Sequence, residues 1–260
     1  GGDGQLPGVY RYLELIFDPY VPSATHAWVC TRHLVEGAGG ATEPVRRGSP
    51  DLLRFARHIG TNFTKYSKAL SVLVESSRLS GLDAQGQPAL YPFAEVLNVG
   101  VPEPQPVWSF ELVWPAASDD YLGFLDAAMA LVRSHWAAGR PFMGLFTLRF
   151  SRLTRAHLGM QYDVDPTARY AHVEISPLQD VFNNSTRLSD NNVEFLDAMF
   201  ALPAVRTARL HWGQGEWPSS RFDARRYERL DTWRTSARAL TGDHGALFSS
   251  PFLGGAHVRS

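Results

Sequence analysis

Three strand-like segments constrain the fold of this chain most: Val107–Trp114, Phe142–Phe150 and Tyr170–Ile175. They are rich in β-branched and aromatic residues. Polar side chains nevertheless recur at alternate positions in two of them. Alternation puts Thr147 and Arg149 on one face of their strand, and His172 and Glu174 on one face of theirs. Helical patterns separate these strands. Ser118-Asp-Asp is an N-cap cluster for a helix through about Ala137, ending near Gly139, with Tyr121, Leu125, Ala128, Leu131 and Val132 on its buried face. Asn191–Phe200 reads as a second helix. The pattern implies an α+β fold, a mainly antiparallel sheet with helices packed on one face.

The flanking sequence extends this plan. Val9–Phe17 is a strand, Asp18-Pro19-Tyr20 breaks it, and His26–Arg32 returns as an antiparallel partner. Helices are expected from Pro50 to about His58 and over Tyr66–Leu79. Gly81–Pro106, with five prolines, is a long connector of the kind that often serves as a lid or binding segment. Val205–Leu210 reads as a strand and Phe222–Leu240 as a long Arg-rich helix. Its arginines alternate with Asp223, Glu228 and Asp231, the pattern of a solvated helix face.

Composition narrows the function classes. The 260 residues are 44 % hydrophobic and 20 % charged, with a net charge of −1, so no general electrostatic draw toward nucleic acid is expected. No run of about eighteen apolar residues occurs, so no membrane-spanning helix is expected. The single cysteine, Cys30, excludes an intrachain disulfide and a cysteine metal cluster, and no metal site is anticipated.

Ala208-Arg-Leu-His-Trp-Gly-Gln214 joins the strand at 205–210 to the Arg-rich helix. Gly213 permits close backbone approach, Trp212 offers a flat anchor, and His211 can donate, accept or titrate near neutrality. Such residues suit a pocket wall for a planar ring. A strand end whose Trp caps the core accounts for them equally.

His-Trp-Gly, followed by an amphipathic helix and by Gly245-Ala-Leu-Phe-Ser-Ser-Pro-Phe-Leu253, resembles the C-terminal part of sugar-alcohol and aldonolactone oxidases of the vanillyl-alcohol-oxidase superfamily. Type II cholesterol oxidases share that architecture. The resemblance implies a substrate-binding cap over 1–210 and a C-terminal segment, 211–260, returning to a flavin domain. It implies FAD as cofactor, held mainly by an FAD-binding domain or subunit of which this chain shows no trace. It also implies a small-molecule CH–OH substrate oxidised by hydride transfer, with oxygen reoxidising the flavin. Aromatics and the Pro-rich connector favour a bulky apolar substrate.

The family places Glu-x-Arg where this chain has Thr147 and Arg149, and His-Trp-Gly-Lys where it has Gln214. The missing carboxylate is expected to have moved to Glu174, pairing with Arg149 beside His172. His211, Trp212 and Gln214 are the expected cofactor contacts. Asn183, after the Pro177 turn, is a candidate substrate contact and otherwise a turn residue. Two other readings remain open at this stage. One is a non-catalytic α+β binding or interaction protein, the other a cofactor-free enzyme using His172 and Glu174.

Overall fold

The structure is a computed structural model in which residues 10–17, 19, 27–33, 108–180, 187–211, 214 and 226–242 are described. The expected helices at 50–58 and 66–79, the 81–106 connector, Asn183 and Trp212 lie outside the described residues. The elements run β1 Tyr10–Phe17, β2 Ala27–His33, β3 Phe110–Pro115, α1 Asp120–Ala137, β4 Gly144–Arg152 and β5 Arg169–Pro177. They continue with α2 Asp190–Phe200, a 3-10 turn Pro203–Arg206, the short β6 Arg209–Leu210 and α3 Leu230–Thr241. The fold is α+β with antiparallel strand pairing, as the alternating polar pattern requires.

Two compact units divide the chain. The first comprises Gly1–Trp108, Val132–Arg149 and Ser176–Phe195, and the second Ser109–Leu131, Phe150–Ile175 and Leu196–Ser260.

In the first unit, β1 lies between β2 and β4 and is antiparallel to both. Its core is aromatic: Phe142 packs on Phe195 with centroids 4.2 Å apart, and Phe146 meets Phe195 edge-on at 6.3 Å. These rings are fully buried. Asn192, fully buried on α2, would be costly without partners. Its Oδ1 accepts from the Met143 amide at 2.7 Å, and its Nδ2 donates to the carbonyls of Met143 and Leu178. One side chain thus fastens the helix to two backbone segments. Gly144 opens β4 because there is no room for more: an added Cβ would come within 2.7 Å of the Ser176 carbonyl oxygen and 2.8 Å of Pro177 Cα.

In the second unit, β3 lies between β5 and β6, antiparallel to each. The register sorts side chains onto two faces. Phe110 pairs with Ile175, Leu112 with Val173 and with Leu210, and Trp114 with Ala171. This apolar face receives the helices. Trp114 packs on Phe124 of α1 at 5.1 Å and Phe110 on Phe200 of α2 at 5.9 Å. The other face carries Glu111 opposite Glu174 and Val113 opposite His172.

Several boundaries differ from the sequence-based expectation. The buried face of α1 is Phe124, Leu125, Ala128, Val132 and His135, with Tyr121 and Leu131 only partly covered. Phe124 is the larger apolar group, and Trp114 receives it. The helix ends where expected, at Gly139 with φ +71°, a backbone conformation that glycine adopts without steric cost. The expected strand at 205–210 is a strand only at Arg209–Leu210. Pro203 opens the 3-10 turn before it, since its fixed φ and missing N–H suit the first helical position. Helix α3 begins at Leu230, later than its charge pattern suggested. Asp231 and Arg234 form the expected i,i+3 pair at 3.0 Å. Arg226, however, serves the fold: its Nη1 donates to the Val205 and Ala208 carbonyls.

Trp114 is fully buried, and its Nε1 donates to the Ala204 carbonyl at 2.9 Å, tying β3 to the 3-10 turn. Trp114→Ala is expected to lower unfolding free energy by roughly 3–5 kcal/mol in a denaturant titration. Trp114→Phe, which keeps an aromatic ring but orphans the carbonyl, should cost about 1–3 kcal/mol. A Trp114→Phe variant as stable as wild type would show that the hydrogen bond contributes nothing.

Candidate functional site

The polar face of the second unit holds two buried ionisable side chains, Glu111 and His172. Glu111 is 1 % exposed and His172 is 5 % exposed. A carboxylate placed there needs a partner, because an uncompensated buried charge costs several kcal/mol or more. His172 supplies it: Nδ1 lies 2.5 Å from Glu111 Oε1. The other ring nitrogen is engaged as well, with Ser151 Oγ 2.6 Å from His172 Nε2. Ionised, Glu111 can only accept, so Nδ1 carries the hydrogen. Nε2 of the neutral ring is then the acceptor and the Ser151 hydroxyl donates to it. Ser151, His172 and Glu111 thus form a hydrogen-bonded series from a half-buried hydroxyl to a fully buried carboxylate.

Each member is placed by regular structure. Val113 lies opposite His172 in the β3–β5 register, so Glu111 and His172 are diagonal neighbours on one face. Glu174 stands directly across from Glu111. Like charges so placed repel, and each has its own hydrogen-bond partner. Glu111 has His172, while Glu174 accepts from Ser109 Oγ at 2.6 Å. His211 continues the same row. Its amide donates to the Glu111 carbonyl at 3.0 Å, extending the ladder in which Leu112 pairs with Leu210. The register places its side chain on the face of Glu111 and Glu174.

Of the residues anticipated from sequence, His172, Glu174 and His211 therefore share one sheet face. Thr147 and Arg149 belong to the first unit. There Glu14 stands opposite Arg149 and Ile16 opposite Thr147 in the β1–β4 register, and Thr147 Oγ1 is buried without a hydrogen-bond partner among the described residues. The partner of His172 is Glu111, a carboxylate the sequence reading passed over. Ser151 was also missed. A signal for both existed: Glu111 lies between Phe110 and Leu112, and Ser151 continues the Thr147–Arg149 alternation along β4.

Gln214 tests the expected flavin contacts. Its Oε1 is buried and has no hydrogen-bond partner among the described residues. A buried amide oxygen in that condition has room to accept an N–H donor. An isoalloxazine ring, the group that the sequence resemblance implies, presents an N–H at its edge that such an oxygen could accept.

A second polar network stiffens the border of the face. Arg209 Nη1 donates to the carbonyls of Met160 and Tyr162, its Nη2 reaches Glu228 at 2.8 Å, and its guanidinium lies 5.7 Å from the Tyr170 ring centre. The Tyr170 hydroxyl donates to Asp163 Oδ2 at 2.8 Å and to the Tyr162 carbonyl at 2.9 Å. The Asp165 amide, and after it the Tyr170 hydroxyl, hold the Asp163 carboxyl below the ordinary carboxylate range. Burial, seconded by the bond to Asp163, pushes the Tyr170 phenol up to about 12. An unfolded chain releases this proton near pH 10, whereas the folded protein keeps it to about 12. The phenol's contribution is therefore full below pH 10 and declines as pH rises through about 12. Tyr170→Phe should flatten the alkaline fall of the melting temperature across that window, and an unchanged slope would contradict the assignment.

Compared with known proteins, the chain matches no family model and no curated protein sequence. No helix among the described residues is long and apolar enough to cross a membrane.

Proposed function

We propose that this chain is the substrate-binding part of an FAD-dependent oxidoreductase that oxidises a CH–OH substrate, with oxygen as the terminal acceptor. The observation carrying the proposal is the buried Glu111–His172 pair on an otherwise polar sheet face. Alcohol oxidation needs a base for the hydroxyl proton, and a carboxylate-backed imidazole is such a base. Glu111 holds the ring in the tautomer that makes Nε2 the acceptor, the nitrogen on which Ser151 lies. It also stabilises the imidazolium that forms on protonation. Bound FAD would supply the acceptor for the hydride. His211 and Gln214 would hold the ring's edge, Gln214 through its unsatisfied oxygen. The sequence resemblance to sugar-alcohol and cholesterol oxidases supports the choice of reaction, and the apolar connector composition supports a bulky apolar alcohol as substrate.

One specific observation favours a second reading. Ser151, His172 and Glu111 have the connectivity of an acyl-transfer triad, which would make the protein a cofactor-free hydrolase. Local structure argues against it. Ser151 sits inside the regular strand β4, whereas a nucleophile of this type usually occupies a sharp turn that frees neighbouring N–H groups for the oxyanion.

The deciding measurement is the visible spectrum of the protein isolated with its native partner, followed by anaerobic addition of bulky secondary alcohols. Flavin bands that bleach with alcohol support the oxidase. His172→Asn should then slow bleaching by about 10²–10⁴-fold. Colourless protein whose Ser151 is labelled by a fluorophosphonate would establish the hydrolase instead.

A further inference from the structure

The arrangement of the series has a consequence for how a substrate meets it. His172 is 5 % exposed, and both of its ring nitrogens are occupied, one by Glu111 at 2.5 Å and the other by Ser151 at 2.6 Å. No ring nitrogen is left to receive a substrate hydroxyl directly. The member of the series that is partly open is Ser151, half-buried near the end of β4. A serine hydroxyl has one hydrogen to donate and two lone pairs to accept. With its hydrogen given to His172 Nε2, its acceptor side is free for an incoming O–H.

We infer that Ser151 is a catalytic residue, the group that touches the substrate hydroxyl and relays its proton to His172. This rests on the oxidoreductase reading. The substrate O–H bond breaks and a new O–H bond forms at Ser151 Oγ, while the original Ser151 hydrogen passes to His172 Nε2. Ser151 ends neutral, as it began, with one hydrogen exchanged for another. His172 becomes imidazolium and its charge is met by Glu111. Bound FAD, the two-electron acceptor of that reading, would supply the acceptor for the substrate's C–H hydride, and the product would be a carbonyl. The base is thus set back from the substrate by one hydroxyl, and two protons move in the step.

The same geometry predicts a chemical difference that needs no turnover. Ser151 covers Nε2, the nitrogen that an acylating reagent such as diethyl pyrocarbonate would attack on a ring whose Nδ1 bears hydrogen. Removing the hydroxyl should uncover it.

The test uses the full flavoenzyme and compares wild type, Ser151→Ala and Ser151→Thr. In Ser151→Ala, the rate of flavin reduction by alcohol should fall by about 10²-fold, the low end of a general acid–base contribution, with KM little changed. The solvent-isotope proton inventory should change from curved, for two protons in flight, to linear. Ser151→Thr, which restores a hydroxyl, should recover most of the rate and the curvature. Carbethoxylation of His172, followed by mass spectrometry, should quicken several-fold in Ser151→Ala. Flavin reduction by Ser151→Ala within twofold of wild type would overturn the relay while leaving the oxidase reading in place. A wild-type protein that carries no flavin, or whose flavin no alcohol reduces, would overturn both. Unchanged carbethoxylation in a Ser151→Ala protein with the wild-type circular dichroism spectrum would show that Ser151 does not cover Nε2, and would also overturn the relay.

Discussion

Two carboxylates face each other across the β3–β5 register, Glu111 and Glu174, and the polar surface of the second unit is arranged around keeping them there. Adjacent like charges on neighbouring strands weaken a sheet. Leucine or valine at position 111 would remove the repulsion and add apolar burial. The chain instead keeps a glutamate that is 1 % exposed and supplies it with an imidazole, while Ser109 is supplied to Glu174. Locally unfavourable choices of this kind are found where a fold serves chemistry rather than stability.

The division of labour between the two faces of β3 makes such a choice tolerable. Phe110, Leu112 and Trp114 point one way and anchor the strand through Phe200, Leu210 and Phe124. With one face so firmly packed, the register cannot slip by a residue without exposing these aromatics. Glu111 and His172 are thereby held as diagonal neighbours by the hydrophobic core on the opposite side of the sheet. The geometry of the Glu111–His172 pair is thus set by packing on the face that the pair does not occupy.

The alternating strands, the antiparallel return of β2, the cap region and end of α1 and the shared face of His172 and Glu174 were all legible in the sequence, because each depends on local periodicity or on one special residue such as Gly139. The partner of His172 was not. Alternation says which residues share a face of one strand, but only the register between strands says which residues meet across them. Glu111 stood out by its place between Phe110 and Leu112, but nothing local said that it, rather than Glu174, would meet the imidazole. Ser151 was overlooked for a related reason: a serine near a strand end is unremarkable until an imidazole is found 2.6 Å away. The 205–210 stretch was misjudged because an apolar run that short fits a 3-10 turn as well as a strand, and Pro203 decided the matter.

The central claim is that Glu111 fixes the hydrogen of His172 on Nδ1 and leaves Nε2 as the acceptor. Long-range ¹H–¹⁵N correlation spectra of the histidine side chains report this directly at neutral pH. His172 should show a protonated Nδ1 and an unprotonated Nε2, a pattern abolished by Glu111→Gln. A His172 ring carrying its hydrogen on Nε2 in the wild-type protein would contradict it.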